Sequence, residues 1–168
     1  YYDTRGITYQ KMGEYEKGID DYNEAIRLDP KCAQANNGLA WFLATCPDAR
    51  LRDADRAIQL AQKAVKLSPD DGRIWNTLGV AQYRTGKWKA AIATLEKPMG
   101  LRSGGDSFDW FFLAMAHWQL GEKDEAPQWY RKAVKWMDEH KPEDEELHRF
   151  RAEAAELLGV KETINDEG

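Results

Sequence analysis

A motif that recurs along the chain restricts its possible folds more than any other feature. Each copy has a glycine near its start, followed by apolar side chains at a four-residue spacing. The copies are MGEYEKGIDDYNE at 12–24, TGKWKAAIATLEK at 85–97 and LGEKDEAPQWYRK at 120–132. Gly13, Gly86 and Gly121 hold the same place in each copy. The motif predicts stacked copies of one supersecondary unit, because a single short unit cannot bury its apolar side alone.

The match extends on both sides of these glycines. Trp75, Leu78 and Gly79 have the spacing W-x-x-L-G, and AIRLDP at 25–30 matches AVKLSP at 64–69. Apolar residues three or four apart on paired segments of about a dozen residues predict two helices per unit. No segment alternates as a half-buried strand does, so the sequence predicts an all-α fold.

This pattern resembles the tetratricopeptide repeat, a helix–turn–helix unit of about 34 residues. The resemblance runs from Tyr1 to about Asp138 and implies a right-handed superhelical solenoid of about four repeats with a C-terminal capping helix. We predict a single domain with repeats at about 1–32, 33–71, 72–106 and 107–140, a capping helix at about 143–158 and a tail at 159–168. The capping helix has one apolar face, formed by Leu147, Phe150, Ala154, Leu157 and Leu158.

Pro98 departs from the repeat pattern, because the equivalent positions hold Ala25 and Ala64. A proline there removes a helical hydrogen bond to Thr94, at a cost of about 3 kcal/mol in a helix interior. We therefore expect the helix to end or kink near Lys97.

The segment ATCPDARLRDADRA, at 44–57, replaces the glycine turn of the second repeat and makes it five residues longer. One hypothesis places a reactive thiol or a metal site at Cys46 and the neighbouring aspartates. No histidine is near in sequence, however, and the order of a calcium loop is absent. The favoured interpretation is a long turn in which Pro47 ends one helix and Asp53 caps the next. Arg50 and Arg52 are then either solvated or paired locally.

The sequence contains no pattern typical of catalysis or of cofactor binding. His117, His140 and His148 form no H-E-x-x-H motif, and the glycines of SGGDS lack a phosphate-binding pattern. His117 takes a place where the repeat has a tyrosine, so we expect it near the core. We predict a protein that is not an enzyme and that needs no metal or cofactor.

The charge distribution argues against nucleic acid as a partner. From Asp138 onward there are eleven acidic residues and four basic ones, which leaves eighteen acidic and twenty basic residues before it. A duplex binder derives most of its affinity from Lys and Arg on phosphates. No apolar run is long enough to span a bilayer, so we expect no membrane partner. Two cysteines, neither in a Cys-x-x-Cys motif, favour a reducing compartment, and we expect a cytoplasmic fragment, because the chain begins with Tyr1 rather than Met.

The resemblance implies a function in protein binding, since the first helices of such repeats line a concave groove for a peptide or a partner helix. By alignment the groove positions are Asn37, Trp41, Arg73, Asn76, Val80, Tyr83, Arg84, Phe108, Phe111, Met115 and Trp118. The third repeat supplies polar and cationic groups and the fourth supplies aromatic ones, which predicts a partner with an acidic side and an apolar anchor. Asp3 and Ile7 stand where a clamp for chaperone C-termini needs Lys and Asn, which argues against that ligand.

Other interpretations remain open. Phe111 or Trp118 can pack on the capping helix instead of a partner. The repeat end at Tyr1 can stack on further repeats or on a second copy of the chain. The chain can also be a regulatory module of a larger multidomain protein.

Overall fold

A computed structural model describes residues 13–101 and 104–160. Over these ranges the chain forms eight α-helices, one short 3-10 helix at Ala49–Leu51 and no strand. The α-helices are α1 (Tyr15–Leu28), α2 (Ala33–Thr45), α3 (Ala54–Leu67), α4 (Gly72–Arg84), α5 (Trp88–Leu101), α6 (Ser107–Gln119), α7 (Glu125–His140) and α8 (Glu145–Leu158). The predicted all-α helical repeat is confirmed. The predictions for Asp3, Ile7, the end at Tyr1 and the tail beyond Val160 lie outside the described residues.

The chain forms two compact units, which divide between Gly104 and Gly105. In the first unit α2 packs against α1, α3 and α4, while α4 also packs against α3 and α5. In the second unit α6 packs against α7, and α8 contacts both of them. Within each unit, therefore, helices that follow one another in sequence pack side by side, as the repeat predicts.

The recurring glycines lie in the turns that lead into the second helix of a pair. Gly13, Gly86 and Gly121 have φ angles of 74°, 74° and 82°, in the left-handed region that favours glycine. After α4, the amides of Gly86 and Lys87 donate to the carbonyls of Tyr83 and Gln82, each at 3.0 Å. The amides of Gly121 and Glu122 do the same after α6. The turns predicted after α4 and α6 are confirmed, and they satisfy carbonyls that a helix end leaves without partners.

Small residues on the second helix of each pair are buried where helices approach closely. The recurring alanines Ala57, Ala64, Ala91, Ala126 and Ala133 are buried, whereas Ala25 is partly exposed. Such positions let two helix backbones come together while larger side chains fill the space around them. The pattern of alanines in the sequence therefore marks the packed side of these helices.

The predicted helix end near Lys97 was wrong. Helix α5 continues through Pro98 to Leu101. Pro98 lies in the last turn, where little of the helix remains to be broken, and its ring is buried. The burial of apolar surface offsets part of the lost hydrogen bond to Thr94.

The long turn of the second repeat completes the hydrogen bonding at the C-terminal end of α2. The backbone amide of Cys46 donates to the Phe42 carbonyl at 2.9 Å, and the Asp53 amide donates to the Leu43 carbonyl at 3.0 Å. The Arg52 Nε donates to the carbonyl of Cys46 at 2.6 Å. These bonds satisfy carbonyls that the glycine turns satisfy elsewhere. The extra residues thus replace a glycine cap with a longer one.

The turn also begins α3, as predicted. The Asp53 carboxylate accepts a hydrogen bond from the amide of Arg56 at 3.0 Å, which makes Asp53 the N-cap. Arg50 pairs with Asp48 at 2.7 Å, so both arginines of the turn are paired locally. Cys46 is fully buried at the end of α2, where the sequence predicted a packed thiol.

Helix α8 starts slightly later than predicted, at Glu145 rather than 143. The Asp144 carboxylate accepts from the amide of Leu147 at 3.0 Å, and Gly159 ends the helix with a φ of 69°. The acidic residues before Glu145 form the turn that leads to this cap. The predicted apolar face is confirmed, since Leu147, Phe150, Ala154 and Leu158 are buried and Leu157 is partly exposed.

Candidate functional site

The predicted binding positions of the first unit lie on α2 and α4, two helices that pack against each other. Their three- and four-residue spacing places them along one side of each helix. We call them the α2–α4 face, which consists of Asn37, Trp41, Arg73, Asn76, Val80, Tyr83 and Arg84.

The members of the α2–α4 face differ in how far a partner can reach them. Asn76, Val80 and Tyr83 are buried, with 5%, 0% and 9% of their surfaces exposed. Asn37, Trp41 and Arg84 are partly exposed, and Arg73 is exposed. The first group belongs to the packed interior of the unit, so the second group offers the contact surface.

Arg73 is bound within its own helix cap. Its Nε and NH2 atoms donate to the two carboxylate oxygens of Asp71 at 3.1 and 2.7 Å. Asp71 also accepts from the Arg73 amide at 3.0 Å, as the N-cap of α4. The hydrogen bonds to Asp71 raise the pKa of the Arg73 guanidinium. The cation that the sequence offered to an acidic partner therefore has an anion beside it already.

Arg84 connects the C-terminal end of α4 to that of α2. Its Nε donates to the carbonyl of Ala44 at 3.2 Å, and its guanidinium carbon lies 5.7 Å from the centre of the Tyr83 ring. The carbonyl is one that the end of α2 leaves without a helical partner. Arg84 thus positions α4 against α2 rather than standing free on the surface.

Asn37 carries a polar atom whose hydrogen-bonding capacity is unused. Its side-chain oxygen is buried and has no hydrogen-bond partner among the residues described. The neighbouring Asn36 is fully buried, but its amide nitrogen donates to the carbonyl of Cys32 at 2.8 Å. A buried acceptor without a donor costs about 1–3 kcal/mol, so Asn37 is the polar group of this face that gains most from a ligand.

The predicted positions of the second unit are largely occupied by its own packing. Phe111 and Met115 are fully buried, and the Phe111 ring lies 5.9 Å from that of Tyr130 in α7. Phe108 lies 6.4 Å from Phe150 of α8 in an edge-to-face arrangement. The aromatic residue that contacts the capping helix is therefore Phe108, where the sequence suggested Phe111 or Trp118.

Trp118 is partly exposed and lies beneath a lysine of the following turn. The Lys123 Nζ is 3.4 Å from the centre of the ring and donates to the Trp118 carbonyl at 3.2 Å. Such a cation over an aromatic face is attracted by the electrons of the ring. Trp118 is the member of the α6 set with the most surface left for a partner.

The remaining candidate chemistry is structural. His117 is mostly buried, as predicted, and its Nδ1 lies 2.5 Å from a carboxylate oxygen of Glu122. Within residues 13–101 and 104–160, no three His, Cys, Asp or Glu side chains are grouped so as to hold a metal ion. Over the same ranges, no helix has both the length and the apolar composition to cross a membrane.

The Asp48–Arg50 pair in the long turn predicts a measurable titration. Hydrogen bonds from the Arg50 side chain and then from its amide lower the pKa of Asp48 from 3.8 to about 2. The stabilisation by this carboxylate is therefore present above 3.8 and is lost as the pH falls through about 2. We expect Arg50→Ala to raise the pKa of Asp48, though not fully to 3.8, because the amide still donates.

Carboxyl-carbon NMR titration measures this pKa directly. Arg52→Ala is the matched control, because Arg52 binds the Cys46 carbonyl and not Asp48. Equal Asp48 titrations in the two variants would show that the Arg50 side chain does not hold the carboxylate.

Comparisons with known proteins agree with the repeat. Three sequence profiles, each described as tetratricopeptide repeat (TPR), match residues 4–32, 49–98 and 110–138 and together cover more than half of the chain. Small glutamine-rich tetratricopeptide repeat-containing protein 2 of Saccharomyces cerevisiae is 27% identical over 88 residues, which are 52% of this chain and 24% of that protein. Human serine/threonine-protein phosphatase 5 is 38% identical over 65 residues, which are 38% of this chain and 13% of the phosphatase. The chain thus spans about a quarter or less of these curated relatives.

Solved structures share the fold along almost the whole chain. TTC0263, a thermophilic TPR protein of Thermus thermophilus, has a TM-score of 0.68 at 17% identity, covering 95% of this chain and 80% of its own. YrrB, a TPR protein with an unusual peptide-binding site, has a TM-score of 0.60 at 18% identity, covering 95% and 86%. MamA has a TM-score of 0.63 at 22% identity, covering 95% and 88%. At these identities the similarity shows the fold.

Proposed function

Because the chain belongs to the tetratricopeptide repeat family, we propose that it is a non-enzymatic module that binds a segment of a partner protein on the α2–α4 face. Repeats of this family generally serve as protein-interaction scaffolds. The observation that carries the proposal is the partly exposed pair Asn37 and Trp41 beside the buried Asn76, Val80 and Tyr83. This combines an aromatic anchor with an unused hydrogen-bond acceptor on two helices packed together.

The packing beneath the face favours binding. Partly exposed tryptophans contribute strongly to interfaces, because they offer a large contact area at a small cost in conformational entropy. Arg84 and the long turn hold the C-terminal end of α2, next to which Trp41 lies. A surface that is ordered before binding loses less entropy when a partner docks.

Two variants test the proposal. Asn37→Ala and Trp41→Ala remove the two exposed anchors, and Lys89→Ala removes an exposed side chain from α5 as a control. A partner is first identified by capture on the immobilised chain, then purified and titrated against each protein by calorimetry. We expect Trp41→Ala to weaken binding by about tenfold or more, the effect of losing an interface anchor.

The control and the outcome against the proposal are equally definite. Lys89→Ala is expected to bind as the parent does, and circular dichroism checks that every variant retains its helices. Unchanged affinity in the double variant Asn37→Ala, Trp41→Ala would place the binding site elsewhere on the chain.

A regulatory module within a larger protein is the second candidate, and the short coverage of the relatives favours it. The chain matches only 13% of human serine/threonine-protein phosphatase 5, an enzyme whose remaining length is unmatched. We propose that the module can serve in the same way beside a catalytic domain. The gene sequence on both sides of these 168 residues tests this, since the absence of any catalytic domain would exclude it.

A further inference from the structure

Charge is distributed unequally between the two helices of each pair. Helix α2, AQANNGLAWFLAT, has no charged residue, and α4 has only Arg73 and Arg84. The second helices of the same unit, by contrast, carry charged side chains along their lengths. These are α1 (Tyr15–Leu28), α3 (Ala54–Leu67) and α5 (Trp88–Leu101). The α2–α4 face therefore lacks the free charges that the other helices of the unit have.

The two arginines of the α2–α4 face do not alter this result. Arg73 lies against the carboxylate of Asp71, and the Nε of Arg84 is bound to the Ala44 carbonyl. A charged group of a partner that became buried here would lose its hydration without gaining an unengaged counter-ion. The absence of free charge thus discriminates against charged segments, because the mismatch costs more for them than for neutral ones.

The unused acceptor on Asn37 indicates what a partner must supply. Its buried oxygen has no donor among the described residues, and a backbone amide is the commonest neutral donor in proteins. A helical partner uses its own amides internally, except in its first turn. An extended segment keeps amides free along its length, so it can donate to Asn37 while one of its side chains packs on Trp41.

We propose that the segment bound on the α2–α4 face is extended and uncharged, with an apolar or aromatic side chain packed on Trp41. The inference rests on the proposed function and specifies its ligand. It replaces the acidic partner predicted from the sequence, because Arg73 and Arg84 have partners within the chain. Recognition then comes from backbone hydrogen bonds and apolar contact, with little contribution from ion pairing.

The experiment uses a phage library of random peptides, about twelve residues long, selected on the full chain. Enriched peptides are synthesised with a fluorescent label, and their Kd is measured by anisotropy at about 0.05 and about 0.5 M NaCl, which differ several-fold in screening length. Two variants follow, Asn37→Asp, which inserts a negative charge without changing the shape, and Arg73→Gln, which removes the arginine charge. Asn37→Leu serves as a second replacement in case Asn37→Asp does not fold.

We expect the selected peptides to share an uncharged central stretch, with a Kd that changes by less than about twofold between the two salt concentrations. Asn37→Asp and Asn37→Leu are expected to weaken binding by about tenfold, because the backbone donor loses its neutral acceptor. Arg73→Gln should change the Kd by less than about twofold, since no partner charge depends on it.

Other outcomes separate the inference from the function on which it rests. Acidic peptides whose Kd weakens more than about tenfold with salt and with Arg73→Gln would overturn the uncharged segment and leave binding at this face intact. Tighter binding to Asn37→Asp would indicate a cationic segment and would also overturn it. No enriched peptide, or peptides indifferent to both Asn37 variants, would count against the proposed function itself.

Discussion

Phe150→Ala is expected to lower the free energy of unfolding of the second unit by about 3–5 kcal/mol, the usual cost of emptying a buried phenylalanine site. Phe150 is 1% exposed, and its ring lies 4.9 Å from Phe112 and 6.4 Å from Phe108. It is the residue through which α8 contacts two aromatic rings of α6. Its truncation leaves a cavity between the two helices and removes two edge-to-face contacts.

Hydrogen exchange followed by mass spectrometry resolves this effect by segment. Peptides from α6 and α8 should lose protection in Phe150→Ala, and urea titration gives the overall change in stability. The matched control is Glu156→Ala, an exposed position on the same helix, which should change the stability by less than about 0.5 kcal/mol. If the two variants were equally stable, α8 would not be holding the unit together through Phe150.

Gly79→Ala is expected to destabilise the first unit by about 1–3 kcal/mol, although alanine favours helices more than glycine does. A Cβ at this position would lie 2.5 Å from Cγ and 2.7 Å from Cδ2 of Leu95. Leu95 is fully buried, so its side chain cannot move aside without disturbing its neighbours. The overpacking outweighs the gain of about 1 kcal/mol in helix propensity.

Gly100→Ala is the matched control for this prediction. Gly100 is also helical, in the last turn of α5, but nothing lies within 4 Å of a Cβ built there. Alanine at this position should be neutral or stabilise by up to about 1 kcal/mol. Thermal unfolding of the two variants should therefore shift in opposite directions or differ clearly in size, and equal stabilisation would contradict the close approach of α4 and α5.

The features that the sequence predicted best depend on neighbouring residues. The turns at Gly86 and Gly121 follow from glycine's access to positive φ angles, which a sequence displays directly. The Asp53 cap follows in the same way from a carboxylate placed before a helix. Pro98 was the exception, because the cost of a proline depends on how much helix follows it and on whether its ring is buried.

The composition of the α2–α4 face was predicted less well, since alignment gives a position in the repeat and not its surroundings. Val80 takes a groove position there but is fully buried, as Phe111 and Met115 are in the second unit. The Asp71–Arg73 pair could have been suspected, because the two residues are neighbours at a helix start. The bond between Arg84 and the Ala44 carbonyl joins residues forty positions apart, and no local pattern indicates it.

The capping role of the long turn has a consequence for limited proteolysis. Connections of this length are usually the first to be cut, since proteases require several residues in an accessible extended form. Here the turn contains two trypsin targets, Arg50 and Arg52, yet one side chain holds Asp48 and the other holds the Cys46 carbonyl. Cleavage at either arginine first requires the release of these bonds. The rate of nicking in this turn therefore reports how often the C-terminal end of α2 opens.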